Sequence, residues 1–251
     1  MKLTEVRAVV TGGASGMGRT FVEQLIAEGA TVHACDVNEA GLADLASATG
    51  CSTSVADVGD EASVERLFDE AEAAFGTVPN VLLNNAGILR DGLLLKKDRE
   101  TGAVSTLSKA KWDQVIGVNL TGPFLCMRRF ARRLVETGEQ PAVAVQMSSI
   151  SRAGNMGQSN YSATKAALVA ETVVWAKELA RYGVRVGAIA PGFIGTPMVR
   201  SMRPDVLDKV LKPVPLRRLG EPEEVWEAVR FIIACEYFTG RVVEVDGGLR
   251  L

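Results

Sequence analysis

The sequence has few of the residues that several common enzyme classes need. Its 251 residues contain one histidine, His33, and four cysteines with no C-x-x-C or other close metal-binding spacing. A single histidine argues against a serine-histidine-aspartate hydrolase and against a histidine-rich metal site. We therefore expect the cysteines to be buried, reduced thiols and the site to contain no metal.

Long apolar runs and an excess of one charge are also missing. No apolar stretch approaches the roughly 18 residues of a membrane span, and residues 1–5 are too polar for a secretory signal. The net charge of -2 argues against a nucleic-acid or anionic-membrane surface, which needs clustered Lys and Arg. We interpret the one basic cluster, Arg128, Arg129, Arg132 and Arg133, as a solvated helix face. These features predict a cytoplasmic protein with a small-molecule substrate and with no nucleic-acid or membrane partner.

Strand-like and helix-like segments alternate along the chain. Apolar, β-branched runs are followed by helical spacing of apolar residues, and neither repeats nor a linker divides the sequence. Such alternation predicts an α/β fold, a doubly wound parallel sheet with helices on both faces. The predicted strands lie near residues 6–11, 31–35, 51–56, 80–84, 142–147, 184–190 and 241–245, and the main helices near 19–28, 60–75, 112–136, 158–181 and 222–235. We expect residues 1–251 to form a single domain, because α/β folds often reach this length.

The first strand breaks into a glycine-rich loop. Residues 12–18 read Gly-Gly-Ala-Ser-Gly-Met-Gly, and a helical pattern follows at once. In this context glycines allow a tight turn and close backbone approach, while the helix N-terminus attracts a pyrophosphate. The pattern is G-x-x-x-G-x-G, not the more common G-x-G-x-x-G, and a glycine loop alone is also typical of plain turns.

An acidic residue stands at the end of the second predicted strand. Asp36 follows Gly18 by 18 residues, where a carboxylate can accept both ribose hydroxyls of an adenosine. A 2′-phosphate would meet a like charge there, and neither Val37 nor Asn38 is an arginine that could neutralise it. The sequence therefore favours NAD(H) and disfavours NADP.

Tyr161 and Lys165 are four residues apart on a predicted helix, so both side chains share one face. An ammonium near the phenol favours its charged form and lowers its pKa from about 10. The pair could then exchange a proton with an alcohol or a carbonyl. The same spacing also fits a core aromatic with a solvated lysine, and it is the glycine loop and Asp36 that favour the chemical interpretation.

Together these motifs resemble, in order and spacing, the short-chain dehydrogenase/reductase family over essentially the whole chain. The resemblance implies a Rossmann-like sheet of seven strands and a catalytic tetrad of Asn119, Ser148, Tyr161 and Lys165, with Ser148 thirteen residues before Tyr161. It also implies that residues 1–150 form a cofactor half. The cofactor-binding residues implied are Gly12, Ser15, Gly16, Met17, Gly18, Asp36, Asp57, Val58, Asn85, Ala86, Gly87, Tyr161, Lys165, Pro191, Gly192, Ile194 and Thr196.

The tetrad suggests a mechanism. The Tyr161 phenolate takes the hydroxyl proton while a hydride passes to the nicotinamide, and reduction reverses both steps. Lys165 would lower the phenol pKa and hold the nicotinamide ribose, while Ser148 would donate a hydrogen bond to the substrate oxygen. Ser149 would face the other way if the strand continued. The family resemblance implies that Asn119 anchors a water that leads from Lys165 to solvent. The alternative is an ordinary hydrogen-bonding residue inside a helix.

Two stretches interrupt the regular alternation. Residues 90–111 are longer than the family's common form, and they indicate either a solvated hairpin or a rim of the active site. Residues 193–215 carry apolar side chains between prolines, and the resemblance makes them a lid over the substrate. The predicted substrate contacts are Ser148, Asn155, Gln158, Phe193, Met198 and Met202.

The apolar wall of the lid predicts a hydrophobic secondary alcohol or ketone as substrate. Acyl thioesters would also fit if Lys96, Lys97 or Arg99 met the phosphates of coenzyme A. We favour an NAD-dependent dehydrogenase of this kind. The alternatives are a 3-oxoacyl-acyl-carrier-protein reductase, which Asp36 disfavours because such reductases usually use NADP, and a non-enzymatic dinucleotide sensor, which would not need the tetrad.

The family resemblance implies a homotetramer. The helices near residues 112–136 and 158–181 would pair across one interface, and the tail, residues 242–251, would lie near another. Leu168, Val169, Thr172 and Val173 suit such helix-to-helix burial, with internal core as the alternative for about half of them.

Overall fold

The structure is a computed structural model that describes residues 1–201 and 203–251, without the side chain of Met198. Seven parallel strands form the central sheet in the order β3-β2-β1-β4-β7-β8-β9. Their bounds are β1 Arg7–Thr11, β2 Thr31–Asp36, β3 Ser52–Val55, β4 Val81–Asn84, β7 Ala142–Met147, β8 Val184–Pro191 and β9 Arg241–Val245. The doubly wound sheet predicted from the sequence is confirmed.

Helices cover both faces of this sheet. They are α1 Gly16–Ala27, α2 Glu39–Thr49, α3 Glu61–Phe75, α4 Lys109–Ile116, α5 Gly122–Thr137, α6 Ser159–Leu179, α7 Pro197–Arg200, α8 Pro204–Leu211 and α9 Pro222–Ala234. One apolar core lies under α1, α2 and α9, with Phe21, Leu45 and Trp226 as members. The other lies under α3 and α5, with Phe68 and Phe130. Because both faces are covered, every residue of β4 and β7 is buried.

The strand order places the functional residues. The chain runs from β1 outward to β2 and β3, and then crosses back to β4 on the other side of β1. At such a reversal the loops after β1 and β4 diverge and leave a crevice at the carboxyl ends of the strands. The glycine loop and residues 85–87 both begin at this crevice.

Some predicted elements differ from those observed. The helix predicted over residues 112–136 is interrupted by a π-helical turn, Gly117–Thr121. Helix α2, which the sequence reading omitted, begins at the N-cap Asn38, whose side chain accepts a hydrogen bond from the Gly41 N–H at 3.1 Å. Residues 90–111 contain the antiparallel hairpin β5 Leu95–Lys97 and β6 Val104–Thr106, and all six strand residues are exposed. The hairpin interpretation is therefore confirmed.

The interpretation of the arginine cluster as a solvated face holds for Arg128 and Arg132, which are exposed, and is wrong for Arg129. Arg129 is only 4% exposed, and its guanidinium pairs with Asp69 at 2.7 Å and Glu72 at 3.0 Å on α3. Arg132 and Arg133 also pair with carboxylates of α3. The sequence shows the basic side chains of one helix but not the acidic partners some 60 residues earlier, so the ion-pair network was missed.

None of the helices in the described residues is long and apolar enough to cross a membrane.

Candidate active site

The glycine loop is packed so closely that side chains are excluded from it. A Cβ atom on Gly18 would lie 2.0 Å from the carbonyl oxygen of Gly12, and one on Gly12 would lie 2.8 Å from Cα of Ala86. Gly12 also has a left-handed φ of 67°. These glycines allow the backbone after β1 to lie directly against the backbone after β4.

Asn85 fixes this contact. Its side-chain amide donates to the carbonyl oxygens of Thr11 and Gly12, each at 3.1 Å. In return the Thr11 hydroxyl accepts from the N–H groups of Asn85 and Ala86, each at 3.1 Å. The predicted cofactor residues Asn85, Ala86 and Gly12 thus form one hydrogen-bonded unit at the crevice.

This unit fits the pyrophosphate of a dinucleotide. Helix α1 begins beside the loop with Ser15 as its N-cap, and the Ser15 side chain makes no capping hydrogen bond. The amide groups of the first turn therefore have no side-chain acceptor and point toward the crevice, where an anion would satisfy them. Gly16 lies close to Thr196, since a Cβ on it would be 3.5 Å from the Thr196 methyl group. Two predicted cofactor segments that are far apart in sequence therefore meet.

Asp36 lies at the carboxyl end of β2, as predicted. Its carboxylate accepts from the N–H of Ala14 in the glycine loop at 3.2 Å and from the N–H of Asn38 at 3.0 Å. Arg19, the basic residue that directly follows the glycine loop, is paired with Glu23, at 2.8 Å, and with Asp44. Its guanidinium is therefore already engaged by carboxylates.

The predicted adenine-edge residues, Asp57 and Val58, follow β3 at the carboxyl edge of the sheet. Val58 is 5% exposed, while the Asp57 carboxylate accepts from the Gly59 N–H at 2.8 Å. On the far side, Gly192 follows β8, and its N–H donates to Val245 at 2.9 Å. Ile194 is buried and Thr196 is the N-cap of α7. Both ends of the predicted cofactor set therefore border the same edge of the sheet.

Tyr161 and Lys165 lie on one face of α6, and the ammonium is 5.4 Å from the centre of the phenol ring. Lys165 is 4% exposed, and its ammonium donates to the carbonyl oxygen of Met147, the last residue of β7, at 2.7 Å. The predicted pair is thus anchored between helix and sheet.

The serine beside the phenol is Ser149 and not Ser148, so the predicted assignment of Ser148 does not match the geometry. The Ser149 hydroxyl acts on the Tyr161 phenol and lowers its pKa, so it is the serine hydroxyl that lies beside the phenol. Ser148 is 2% exposed, and its hydroxyl donates to the backbone carbonyl of Lys165 at 2.7 Å. The strand ends at Met147, and Ser149 is the N-cap of a short 3₁₀ helix. Because the strand does not continue past Met147, the side chains of Ser148 and Ser149 do not alternate between the two faces of the sheet as the sequence analysis assumed.

Burial changes both pKa values at the site. It raises the pKa of Tyr161, and Asp91 adds to this, while the hydrogen bond from Ser149 opposes it. This direction is opposite to the one predicted from the nearby ammonium. Burial lowers the pKa of Lys165 to about 8, because an ammonium loses its hydration inside the protein. A lysine in that range can gain or lose a proton near neutral pH.

Asn119 lies in the π-helical turn and is fully buried. Its amide oxygen accepts from the N–H of Ile88 at 2.8 Å, and its amide nitrogen donates to the Ile88 carbonyl at 2.9 Å. Gly87 stands between Asn119 and Lys165, since a Cβ on it would be 3.5 Å from the asparagine oxygen and 3.6 Å from the lysine nitrogen. The absent side chain leaves the space between the two groups open.

The predicted substrate contacts Asn155 and Gln158 bond to each other. The Gln158 carbonyl oxygen accepts from Asn155 and from the Ser151 hydroxyl, each at 3.0 Å. Its amide donates to Asp91 at 3.0 Å. Both residues therefore connect the loop before α6 to the start of the 90–111 insertion, and neither sequence spacing nor composition indicated the partners Asp91 and Ser151.

The predicted lid contains α7 and α8. Phe193 packs with Leu211 against Ile150, Val214 and Leu249, so its ring is half-buried within the chain. A cleft of about 450 Å³ beside it is lined mainly by residues 214–220 and 244–248, and it contains none of the tetrad residues. The side chain of Met198, and Met202 altogether, lie outside the described residues.

Comparison with known proteins identifies the family. A family model described as enoyl-(acyl carrier protein) reductase matches residues 12–250. The (3R)-3-hydroxyacyl-CoA dehydrogenase of Canis lupus familiaris is 38% identical over 263 residues, which cover 99% of this chain and 98% of that protein. The 3-oxoacyl-acyl-carrier-protein reductase FabG of Thermotoga maritima is 36% identical over 256 residues, covering 99% of each chain. The chain belongs to the short-chain dehydrogenase/reductase family.

A second mammalian relative agrees with this assignment. The human protein named (3R)-3-hydroxyacyl-CoA dehydrogenase is 36% identical over 262 residues, with 99% of this chain and 97% of that protein covered. The alignments with these relatives thus cover 99% of this member of the short-chain dehydrogenase/reductase family. The similarity therefore includes the predicted lid and the tail as well as the motifs.

Proposed function

We propose that this chain is an NAD(H)-dependent oxidoreductase that interconverts a hydrophobic secondary alcohol, or a 3-hydroxyacyl thioester, and the corresponding ketone. The observation that carries the proposal is the meeting of Tyr161, Ser149 and Lys165 beside the glycine loop, at the carboxyl edge of the sheet. The dehydrogenase and reductase names of the relatives support the reaction class.

Each residue of the site has a chemical role in this proposal. NAD(H), when bound, supplies the hydride acceptor or donor. Tyr161 takes or gives the proton of the substrate hydroxyl, and Ser149 donates a hydrogen bond to the substrate oxygen. Lys165 stabilises the phenolate, and the gap at Gly87 lets protons pass between Lys165 and the end of the Asn119 side chain. Ser148 holds the backbone of α6 against β7.

A substrate series tests the reaction and the apolar pocket. We expect kcat/KM to rise by up to roughly tenfold for each methylene that the lid covers. The assay would follow NADH absorbance with matched ketones and polyols of equal length. A clear preference for polyols would contradict the proposal, and no turnover of any alcohol or ketone would favour the dinucleotide sensor.

The preference for NAD over NADP rests on Asp36 and on the engaged Arg19. The double variant Asp36→Ala, Val37→Arg should move the ratio of kcat/KM values toward NADP, because it removes a like charge and adds a bidentate phosphate donor. The control is Val37→Arg alone, which retains the carboxylate and should shift the ratio less. Equal efficiency with both cofactors in the unmodified protein would refute the preference.

A 3-oxoacyl-acyl-carrier-protein reductase is the second candidate, because relatives at 35–36% identity carry that name. Such a reductase differs from the first candidate, the NAD(H)-dependent dehydrogenase, in the group that carries the thioester and in the cofactor. A direct comparison of the same 3-oxoacyl group on coenzyme A and on acyl carrier protein, each with NADH and NADPH, separates the two. Faster turnover of the carrier-protein thioester with NADPH would establish the second function instead.

For the organisation of the chain we propose one catalytic domain over residues 1–251, with a cofactor half over about 1–150 and a lid over about 193–215. A cytoplasmic location stays a prediction from the sequence.

We also propose a homotetramer with α4, α5 and α6 at one interface. Exposed apolar side chains support it, namely Trp112, Phe124 and Val174 at 37%, 43% and 47% exposure. Leu168 and Thr172 are buried within the chain, so these two belong to its own core. Light scattering at assay concentration should give four times the mass of the chain, and a monomer would contradict the assembly.

A further inference from the structure

The 90–111 insertion carries a charge of opposite sign to the rest of the chain. It contains six Lys or Arg residues and three Asp or Glu residues, a net charge of +3. Since the whole chain has a net charge of -2, the remainder has -5. Such a local excess of positive charge attracts anions to this segment.

A cleft of about 280 Å³ lies against the hairpin and the start of α4. Two ammonium groups, Lys96 and Lys111, and three hydroxyls, Ser105, Thr106 and Ser108, are among its eight lining residues, and none of those eight is acidic. Lys111 is held there by a hydrogen bond from its ammonium to the Asp91 carbonyl at 3.1 Å. Paired ammonium groups with hydroxyl donors form a binding environment for phosphate.

Two of the three carboxylates of the insertion, those of Asp91 and Asp98, accept hydrogen bonds outside the cleft. Asp98 accepts from the N–H groups of Glu100 and Thr101, at 3.0 and 2.8 Å, in the turn between the two strands. Asp91 accepts from the Gln158 amide. Within the described part of the chain, neither of these two carboxylates forms a salt bridge with Lys96 or Lys111.

Backbone pairing connects the cleft to the candidate active site. Gly92 forms a parallel bridge with Gln158, and its N–H donates to the Gly157 carbonyl at 2.8 Å. Gln158 is the N-cap of α6, three residues before Tyr161. Gly92 itself lines the cleft, so the root of the hairpin is joined to the start of the helix that carries Tyr161.

We propose that this cleft binds the phosphorylated adenosine end of an acyl-coenzyme A substrate. The inference rests on the proposed function and names its substrate class. A coenzyme A thioester places its reacting carbonyl at one end of a flexible arm and its phosphates at the other, so a cationic cleft joined to the start of α6 can hold the phosphates while the acyl group reaches Tyr161. The site selects this anion by charge and by hydroxyl contacts, and it takes no part in hydride transfer.

The alternation of strand residues supplies a matched control. Lys96 pairs with Ser105, and both line the cleft, whereas its neighbour Lys97 pairs with Val104 and neither lines it. Lys109 also lies outside the cleft and is paired with Asp113 at 2.6 Å. The double variant Lys96→Ala, Lys111→Ala removes two positive charges from the cleft. The double variant Lys97→Ala, Lys109→Ala removes two positive charges from the same segment outside the cleft, and it is the control.

The test compares one 3-oxoacyl group carried on coenzyme A and on N-acetylcysteamine, which lacks the nucleotide. The Lys96→Ala, Lys111→Ala variant should lose about tenfold in kcat/KM on the coenzyme A thioester, through KM, and should keep its value on the truncated thioester. The control variant should keep both values. Adenosine 3′,5′-bisphosphate should compete with the coenzyme A thioester in the unmodified protein, and its affinity should fall with added salt.

Three results would overturn the inference. They are equal losses in the two double variants, equal use of both thioesters by the unmodified protein, and no inhibition by the bisphosphate. If neither thioester is turned over, the proposed function fails on thioesters, and calorimetry with the bisphosphate still decides the cleft. The site is supported if the unmodified protein and the control variant bind the bisphosphate and the Lys96→Ala, Lys111→Ala variant does not. The site is excluded if the unmodified protein does not bind the bisphosphate.

Discussion

The two sides of the candidate site are built in different ways. On the cofactor side, backbone lies on backbone, and the Asn85 amide and the Thr11 hydroxyl close the contact. On the substrate side, the six strand residues of the hairpin are exposed, and α8 contains no buried residue. The difference indicates that the dinucleotide is held by a preformed surface, whereas the substrate meets segments with little packing of their own.

Tyr161 stands at the boundary between the two sides, and its loss should have the largest effect. The variant Tyr161→Phe keeps the ring and removes the proton-transferring oxygen, so turnover should fall by about 10² to 10⁴-fold. NADH binding, measured by fluorescence titration, should stay within about twofold, because the variant keeps the aromatic ring and most of the predicted cofactor surface is formed by other residues. Normal turnover by this variant would remove Tyr161 from the mechanism.

Gly18 tests how tightly the cofactor side is packed. In Gly18→Ala the new methyl group must displace the Gly12 carbonyl, so we expect a loss of at least about 3 kcal/mol in the free energy of unfolding. Gly102, in the hairpin turn, provides the comparison, since nothing lies within 4 Å of a Cβ there and only its φ of 69° opposes a side chain. Gly102→Ala should cost about 1 kcal/mol. Similar losses in urea unfolding would mean that the two sides do not differ as described.

Ser149→Ala should reduce kcat by about 10²-fold, as expected when one hydrogen-bond donor to a reacting oxygen is removed. Ser148→Ala removes a hydroxyl of the same kind from the neighbouring residue and should affect mainly stability, by about 1 kcal/mol, since its bond is to the backbone of α6. Steady-state kinetics and thermal unfolding of both variants distinguish the two roles. A larger kinetic loss in the Ser148 variant would restore the assignment made from sequence spacing.

His33 should make the cofactor side sensitive to acid. Its ring lies between the hydroxyls of Ser52, at 2.8 Å, and Ser54, at 2.7 Å, and burial lowers its pKa to about 4. The unfolded chain binds a proton near pH 6.5 and the folded chain only near 4, so stability is lost as the pH falls through this interval. We expect a loss of roughly 1 to 3 kcal/mol in urea unfolding between pH 7 and 4. The variant His33→Gln should lose less over the same interval, and equal losses would exclude His33 as the cause.

Sequence reasoning was most accurate where a pattern is local. The strands, the glycine loop, Asp36 and the pairing of Tyr161 with Lys165 on one helix face all follow from spacing within a few residues. Helix α2 was missed because its apolar pattern is weak, with Leu42 and Leu45 as its only buried residues, although Asn38 is a recognisable N-cap.

The errors concern contacts between distant segments. The partners of Arg129 on α3, and those of Gln158 at Asp91, depend on how helices and loops are brought together, and no local pattern contains that information. The serine assignment made from spacing differs from the observed geometry for a related reason, since counting residues assumes a backbone path. One change from strand to 3₁₀ helix after Met147 decides which hydroxyl meets the phenol.

The π-helical turn at Gly117–Thr121 joins α4 to α5. A π-helical turn holds about one residue more than an α-helical turn, so removing one residue from it would leave an ordinary α-helical turn and keep α5 in phase with α4. Arg129 would then still face the carboxylates of Asp69 and Glu72, whereas Asn119 would lose its place opposite Ile88. A one-residue deletion here would therefore disturb the candidate site and spare the ion pairs of α5, which means that the extra residue of the turn serves the position of Asn119.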